Sequence, residues 1–181
     1  MKKYLLLVVA AMMATVSVNA QEELKNEISI AYGAGSNTDI VGSIGKGMFT
    51  GKQLSYWGPV SAEYFHRPSP RFGVGAVAAI GGCDWDDTGD AKTTFITFMP
   101  AVKYNWVNKS SFGLYSKVAE GITFRSESGG TKVTTKDDDS SSTFNFQITG
   151  IGLEFGRAFR GFAELGMGEQ GIILAGLRYK F

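Results

Sequence analysis

The sequence predicts an all-β protein, an eight-stranded antiparallel up-and-down β-barrel that crosses a membrane. Three observations support this prediction. The composition combines 24 Gly, 13 Phe, 7 Tyr and 3 Trp with only 4 Pro, and helical periodicity is nearly absent. Apolar and polar residues instead alternate along eight segments, as expected for strands with one face in lipid. The connections between these segments are alternately long and short. Because about 160 residues follow the N-terminal segment, which is the length of one domain, we expect one barrel domain over residues 21–181.

The N-terminal segment, residues 1–20, has the pattern of a secretory signal peptide. Lys2 and Lys3 precede an apolar stretch over residues 5–16, and Ala20 ends a run of small and polar residues. An N-terminal transmembrane anchor is the alternative, but such a span usually needs about 18 or more apolar residues. We therefore expect export from the cytoplasm and cleavage after Ala20.

The first four strands are stretches in which apolar side chains recur at every second residue. In the fourth stretch, for example, Ile96 and Phe98 lie on one face and Thr97 lies on the other. The same alternation defines each of the others. These strands are expected over residues 27–35, 53–66, 71–83 and 93–107.

The last four strands continue the alternation, with one interruption. The two halves of the sixth strand, around Phe146 and Leu153, have opposite phases. A β-bulge near Gly150 or Gly152 would bring both apolar sets to one face of the sheet. The strands are expected over residues 111–126, 142–157, 161–167 and 172–181.

The connections fall into two classes by length. Because neighbouring strands run in opposite directions, connections of one class lie together at one end of the barrel. Short turns at residues 67–70, 108–110 and 158–160 predict the periplasmic end, and long loops at 36–52, 84–92 and 127–141 predict the extracellular end; the compact turn at 168–171 is an exception. Aromatic residues near the periplasmic end form the expected interfacial girdle: Tyr64, Tyr104, Trp106, Phe112, Phe155, Tyr179 and Phe181.

The last strand carries a more specific pattern. Tyr179 and the final Phe181 lie on its apolar face, while Arg178 and Lys180 lie on the opposite face. This arrangement resembles the C-terminal signature of bacterial outer-membrane β-barrels. With the signal peptide, the eight strands and the alternating connections, the chain resembles the eight-stranded barrels of the OmpA and OmpX type. The resemblance implies recognition of Tyr179 and Phe181 by the barrel-assembly machinery, and contact with outer-membrane lipid and lipopolysaccharide in a Gram-negative bacterium.

Charged residues occupy the face opposite to the apolar one. A soluble, calycin-like barrel would have an apolar lumen and a polar wall, which is the reverse of this pattern. Charges of both signs inside a narrow barrel should pair, so we predict a lumen filled by ion pairs, with a gated narrow ion path as the alternative. Glu120 falls on the apolar phase, which the pattern does not explain. The predicted lumen charge network comprises Glu27, Glu63, Lys103, Lys117, Arg125, Glu154 (if the bulge is present), Glu164, Arg178 and Lys180.

Evidence for catalysis or metal binding is sparse. The single His, His66, lies beside a periplasmic turn, whereas barrels of this size that modify lipid A carry their catalytic groups in or near the outer leaflet. Neither a Gly-x-Ser-x-Gly elbow nor a paired His motif occurs. Aspartates cluster at residues 84–90 and 137–139 without EF-hand spacing, which favours solvated loop tips. We therefore expect no catalytic residue, metal site, cofactor or enzyme activity.

The charge balance does not indicate nucleic-acid binding. Removal of Lys2 and Lys3 changes the balance from 18 basic and 17 acidic residues to 16 and 17. Our first hypothesis is an integral outer-membrane barrel of structural or surface-interaction type, whose loops contact an extracellular partner. A narrow pore or small-solute channel is the alternative, and a lipid-modifying enzyme of the outer leaflet is third.

Overall fold

The computed structural model describes residues 24–37, 40, 54–85, 92–128 and 142–181. Residues 1–20 lie outside this part of the chain, and therefore the signal peptide and its cleavage site remain predictions. The described residues contain no helix that is both long enough and apolar enough to cross a membrane.

Eight β-strands make up the fold, and each begins and ends within two residues of its predicted bounds. Alternating apolar residues, many of them β-branched or aromatic, favour this extended structure. The strands are β1 (Asn26–Ala34), β2 (Leu54–His66), β3 (Phe72–Trp85), β4 (Lys92–Asn108), β5 (Phe112–Ser128), β6 (Ser142–Gly156), β7 (Phe159–Gly168) and β8 (Ile173–Lys180).

The strands form one closed barrel in which each strand pairs with its neighbours in the sequence. The first and last strands close it: β1 pairs antiparallel with β8, from Glu27 opposite Lys180 to Ala34 opposite Ile173. Closure leaves no sheet edge unpaired around the circumference. The predicted fold class, an eight-stranded antiparallel up-and-down barrel, is confirmed.

The outer wall of the barrel is apolar and its interior contains the charges. Ile30 is 63% exposed and Trp106 is 63% exposed, whereas Arg178 and Lys103 are completely buried. In a water-soluble barrel these exposed side chains would create a large unfavourable apolar surface, but in lipid they match the surroundings. The wall is therefore that of a transmembrane barrel.

The bulge predicted in the sixth strand is present at Gly150. The register between β6 and β7 shifts between Thr149 and Ile151. As a result Ile148 and Ile151 both point outward, although they lie three residues apart. The same shift turns Glu154 toward the lumen, where it is completely buried.

The two ends of the barrel differ, and we call them the turn end and the loop end. The turn end carries the short connections at residues 67–71, 109–111 and 157–158 together with both described termini. Three aromatic pairs lie there, with ring centroids 4.7–5.8 Å apart: Tyr104 with Trp106, Phe112 with Phe155, and Tyr179 with Phe181. This clustering matches the predicted interfacial girdle.

The wall is taller on one side than on the other. Strands β4 and β5 have 17 residues each, whereas β1 has 9 and β8 has 8. A transmembrane strand needs about 9 to 11 residues, and the short turns align the strands at the turn end. The longer strands therefore project beyond the membrane at the loop end. On the outer face of β5, exposed Glu120 lies between Val118 and Ile122, and nothing in the described structure explains a carboxylate there.

Candidate functional site: the lumen charge network

A dense set of ion pairs fills the barrel interior, and Arg178 on β8 is at its centre. The guanidinium lies 2.8 Å from a carboxylate oxygen of Glu154 and 3.2 Å from one of Glu63. Carboxylate oxygens of Glu27 and Glu164 lie 3.7 and 3.8 Å away. One cation thus joins carboxylates from β1, β2, β6 and β7.

Two lysines on neighbouring strands pair with the same carboxylates. Lys117 on β5 lies between Glu63, at 2.5 Å, and Glu164, at 2.9 Å. Lys103 on β4 lies 2.6 Å from Glu27. Both lysines are fully buried. Their ammonium groups therefore have no contact with solvent, and the paired carboxylates compensate for the loss of hydration.

The turn end of this set contains a cation that the sequence analysis missed. Arg160 on β7 lies 2.9 Å from Glu154, which also accepts a hydrogen bond from Lys180. The predicted turn at residues 158–160 includes Arg160, and this is wrong because β7 begins at Phe159. Arg160 lies on the same inward face of β7 as Phe162 and Glu164, two and four residues further along, and this period of two is the signal that could have identified it. The lumen network, as we use the term below, comprises Glu27, Glu63, Lys103, Lys117, Glu154, Arg160, Glu164, Arg178 and Lys180.

Tyr115 on β5 lies inside the lumen network. Its ring centroid is 4.1 Å from the Lys103 ammonium and 4.9 Å from the Arg178 guanidinium, and its hydroxyl donates to Glu164 at 2.7 Å. Both cations face the electron-rich ring, which is a favourable cation–π arrangement. Gly152 on β6 is paired with Tyr115 on the neighbouring strand β5, and a Cβ atom added to this glycine would lie 2.4 Å from the tyrosine ring. Glycine at this position therefore leaves the space that the tyrosine occupies.

Toward the loop end amide and hydroxyl side chains line the lumen, together with the buried carboxylate of Glu169, which accepts a hydrogen bond from Asn145 at 2.7 Å. The Gln170 side-chain amide donates to Ser61 and Glu63, each at 2.9 Å, and its backbone N–H donates to Gln147 at 2.8 Å. Gln170 belongs to the compact turn between β7 and β8, yet it is completely buried. This turn therefore folds across the lumen. The alternation of the strands gave no signal for it, because the orientation of a turn residue is not set by strand periodicity.

The lumen also contains apolar side chains, most of which lie on the same strands as the charged ones. Ala31, Phe162 and Leu174 on β1, β7 and β8 form a small cluster, and apolar side chains from the inner faces of β2 to β5 form a larger one. The larger cluster consists of Phe65, Val77, Met99, Ala101 and Ala119. These clusters and the lumen network together occupy the barrel interior with side chains, as expected for an eight-stranded barrel.

Arg125 does not join the other predicted network residues. It lies on the inward phase of β5, but its side chain is exposed at the loop end and lies 5.7 Å from the ring of Phe95. The physical reason is the length of β5, which continues beyond the enclosed part of the barrel. The eight other residues of the predicted set all lie within the lumen network.

The remaining predicted positions have simpler surroundings. Phe181 exchanges two backbone hydrogen bonds of 2.8 Å with Asn26, and its ring stacks on that of Tyr179. This geometry neither supports nor opposes an assembly signal, which stays a prediction. The ring of His66 is exposed and makes a 2.9 Å hydrogen bond with Asn26. Most of the two aspartate clusters lies outside the described residues.

Closure, an apolar wall and a charged lumen together define the class of small eight-stranded outer-membrane β-barrels. The chain is structurally similar to Ail, the attachment invasion locus protein of Yersinia pestis, with 15% identity and a TM-score of 0.51 over 88% of this chain and 100% of that chain. A second structure of Ail, in a phospholipid bilayer nanodisc, has 17% identity and a TM-score of 0.46 over the same shares. No protein-family model matches the sequence, and no curated protein matches it either. At this identity the similarity establishes the fold.

We expect Arg178→Met to destabilise the barrel by about 3–5 kcal/mol, because it leaves several buried carboxylates without their shared cation. Urea unfolding of the protein in detergent micelles measures this change. Arg125→Met is the matched control, since it removes an exposed guanidinium from the same barrel and should change stability by less than about 0.5 kcal/mol. Equal losses for the two variants would contradict the central role of Arg178.

Proposed function

We propose that this protein is an integral outer-membrane barrel of structural or surface-interaction type with a closed lumen and no enzyme activity. The observation that carries the proposal is the lumen network, whose charges are paired and almost completely withdrawn from solvent. The barrel would be surrounded by outer-membrane lipid and lipopolysaccharide. In this arrangement the turn end faces the periplasm and the loop end faces the exterior.

Two features support a closed lumen over the alternative of a narrow pore or small-solute channel. Arg178 contacts carboxylates on four strands, so a conducting path would have to break several buried ion pairs at once. Gln170 lies across the lumen above Glu63 and donates a hydrogen bond to it. A water-filled path would need both obstacles to move together.

Interaction at the cell surface is supported by the loop end. Strands β4 and β5 project there, and the connections at residues 35–53 and 129–141 are the longest in the chain. Loops on a rigid scaffold are common binding elements. The structural neighbour is named for attachment and invasion, and we extend only attachment to this chain, as a proposal. The partner would be an extracellular molecule reached by these loops.

An enzymatic function has less support. The exposed ring of His66 lies at the turn end and bonds to an amide oxygen of Asn26 rather than to a nucleophile or a carboxylate. General acid or base catalysis requires such a group to reach a reacting atom. Lipid modification in the outer leaflet would require catalytic groups near the opposite end.

We further propose that Tyr179 and Phe181 serve as the assembly signal. Deletion of Phe181 should lower the amount of folded barrel in the outer-membrane fraction, while export continues and the signal peptide is removed. The measurement is the difference in migration between heated and unheated samples on a detergent gel. Phe159→Ala, which removes another exposed aromatic ring at the same end, should retain normal assembly. Unchanged assembly of the truncated chain would contradict the signal.

We expect the purified protein to give no discrete channel openings in planar lipid bilayers, because the lumen network blocks the path. A general porin inserted into the same bilayers is the positive control. Discrete openings of the unmodified protein that disappear in Lys117→Ala or Arg178→Ala would support the pore alternative and contradict the closed lumen.

Attachment is tested in a non-adherent bacterium that carries the protein in its outer membrane. We expect binding to cultured animal cells to exceed that of the empty strain by several-fold, and replacement of residues 129–141 by Asn-Gly to remove the excess. A variant with Asp137, Asp138 and Asp139 changed to Asn keeps the loop length and separates charge from length. Equal attachment of the strain with the shortened loop, at equal surface levels, would contradict the proposal for this loop.

A further inference from the structure

A second concentration of charge lies outside the lumen network, in a cavity of about 500 Å³ at the turn end. We call it the turn-end vestibule. Its walls come from the three short connections and from the chain segment before β1. No carboxylate occurs among its described lining residues, although six cations do: Lys25, Arg67, Lys109, Arg157, Arg160 and Lys180.

The six cations fall into two groups. Arg160 and Lys180 pair with Glu154 and belong to the lumen network. The other four, which are Lys25, Arg67, Lys109 and Arg157, have no carboxylate of the described chain within 4.0 Å. The lumen network cannot compensate for them, because its five cations already share four carboxylates. The vestibule therefore has an excess of positive charge.

Arg67 gives the most direct indication of a missing acceptor. Its side chain is only 7% exposed, and its aliphatic part packs on Gly73, where an added Cβ would lie 3.4 Å from the arginine Cγ. One terminal nitrogen donates to the carbonyl of Leu24, but the buried Nε has no hydrogen-bond partner among the residues that the structure describes. A buried donor without an acceptor is costly, and more so when it is charged. An anion in the vestibule would supply the acceptor.

The walls of the vestibule are held in place before any ligand arrives. Arg160 donates to the backbone carbonyls of Arg157 at 2.8 Å, Lys109 at 2.9 Å and Ser110 at 3.1 Å, so it joins two of the short turns. The Asn108 amide donates to the carbonyl of Pro70 at 3.1 Å and joins the third. Lys109 and Arg157 are thus presented from fixed backbone, which lowers the entropy cost of binding.

We propose that the turn-end vestibule binds a polyvalent phosphate-type anion. Four cations that have no carboxylate partner in the described part of the chain call for more than one negative charge, and guanidinium groups such as those of Arg67 and Arg157 match two phosphate oxygens at once. The volume is in the range of small-molecule sites, which span about 300–1,000 Å³. The ligand is either a soluble phosphate ester or the headgroup of an anionic phospholipid. This proposal rests on the proposed function in one respect, which is that the vestibule faces the periplasm.

Titration calorimetry with inorganic pyrophosphate tests the site. The protein is produced from the full chain and purified from membranes in dodecyl maltoside. It then has its natural N-terminus, including Glu22 and Glu23 if they follow the cleavage site. We expect saturable binding with one site per barrel, weakened by salt. Arg157→Gln and Lys109→Gln, which change exposed side chains, should each weaken binding about tenfold, as expected for loss of a charged hydrogen bond.

Arg71→Gln is the matched control, because Arg71 is an exposed cation of the same end that does not line the vestibule. It should leave pyrophosphate affinity within about twofold. Absence of saturable binding, or equal weakening by Arg71→Gln and Arg157→Gln, would overturn the proposal. This measurement does not depend on channel activity or attachment, so its failure is distinguishable from failure of the proposed function.

Competition identifies the source of the phosphate. Displacement of pyrophosphate by dihexanoylphosphatidic acid, but not by glycerol 3-phosphate, supports a lipid headgroup, because both compounds carry the same phosphomonoester. Displacement by glycerol 3-phosphate at the same concentrations supports a soluble phosphate ester. Displacement by zwitterionic dihexanoylphosphatidylcholine as strong as that by the anionic lipid would overturn the charge-based site, since micelle insertion alone would then explain the effect.

Discussion

The pairing of opposite charges inside the lumen is the constraint on which the rest of this structure depends. Cations come from β4, β5, β7 and β8, and carboxylates come from β1, β2, β6 and β7. Lys180 can approach Glu27 only when β8 pairs with β1. An open sheet would leave these charges without partners in a water-poor interior, where each unpaired charge is costly. Closure of the barrel and neutralisation of its interior are therefore one event.

The same constraint governs positions that carry no charge. The lumen network needs long side chains, and an eight-stranded barrel has little room for them. Glycines opposite the largest side chains provide that room: an added Cβ at Gly113 would lie 2.5 Å from Glu154, just as Gly152 makes space for Tyr115. The abundance of glycine, which initially indicated only a β-protein, has a specific spatial role at these two positions.

Strand periodicity predicted most of the fold and much of the lumen, because alternation fixes which face of a strand a residue occupies. It placed Lys117 and Arg178 inside, and the phase change along β6 located the bulge that turns Glu154 inward. Periodicity does not report height along the barrel axis, so Arg125 was expected inside although it lies above the enclosed region. Nor does it describe turns: Gln170 reaches the lumen through turn geometry, and the vestibule depends on how three separate turns meet in space.

The bulge at Gly150 has a consequence for comparing this chain with other barrels. Before the bulge the lipid-facing residues of β6 are even-numbered, and after it they are odd-numbered. Removal of Gly150 would therefore turn the lipid-facing residues of one half of β6 toward the lumen, and its lumen residues toward lipid. A related barrel without the bulge must carry the opposite alternation over that half, and a correct alignment must then contain a single-residue gap in the middle of a strand. Gaps are normally assigned to loops, and an alignment that moved this one to a loop would match lipid-facing residues of one protein with lumen residues of the other.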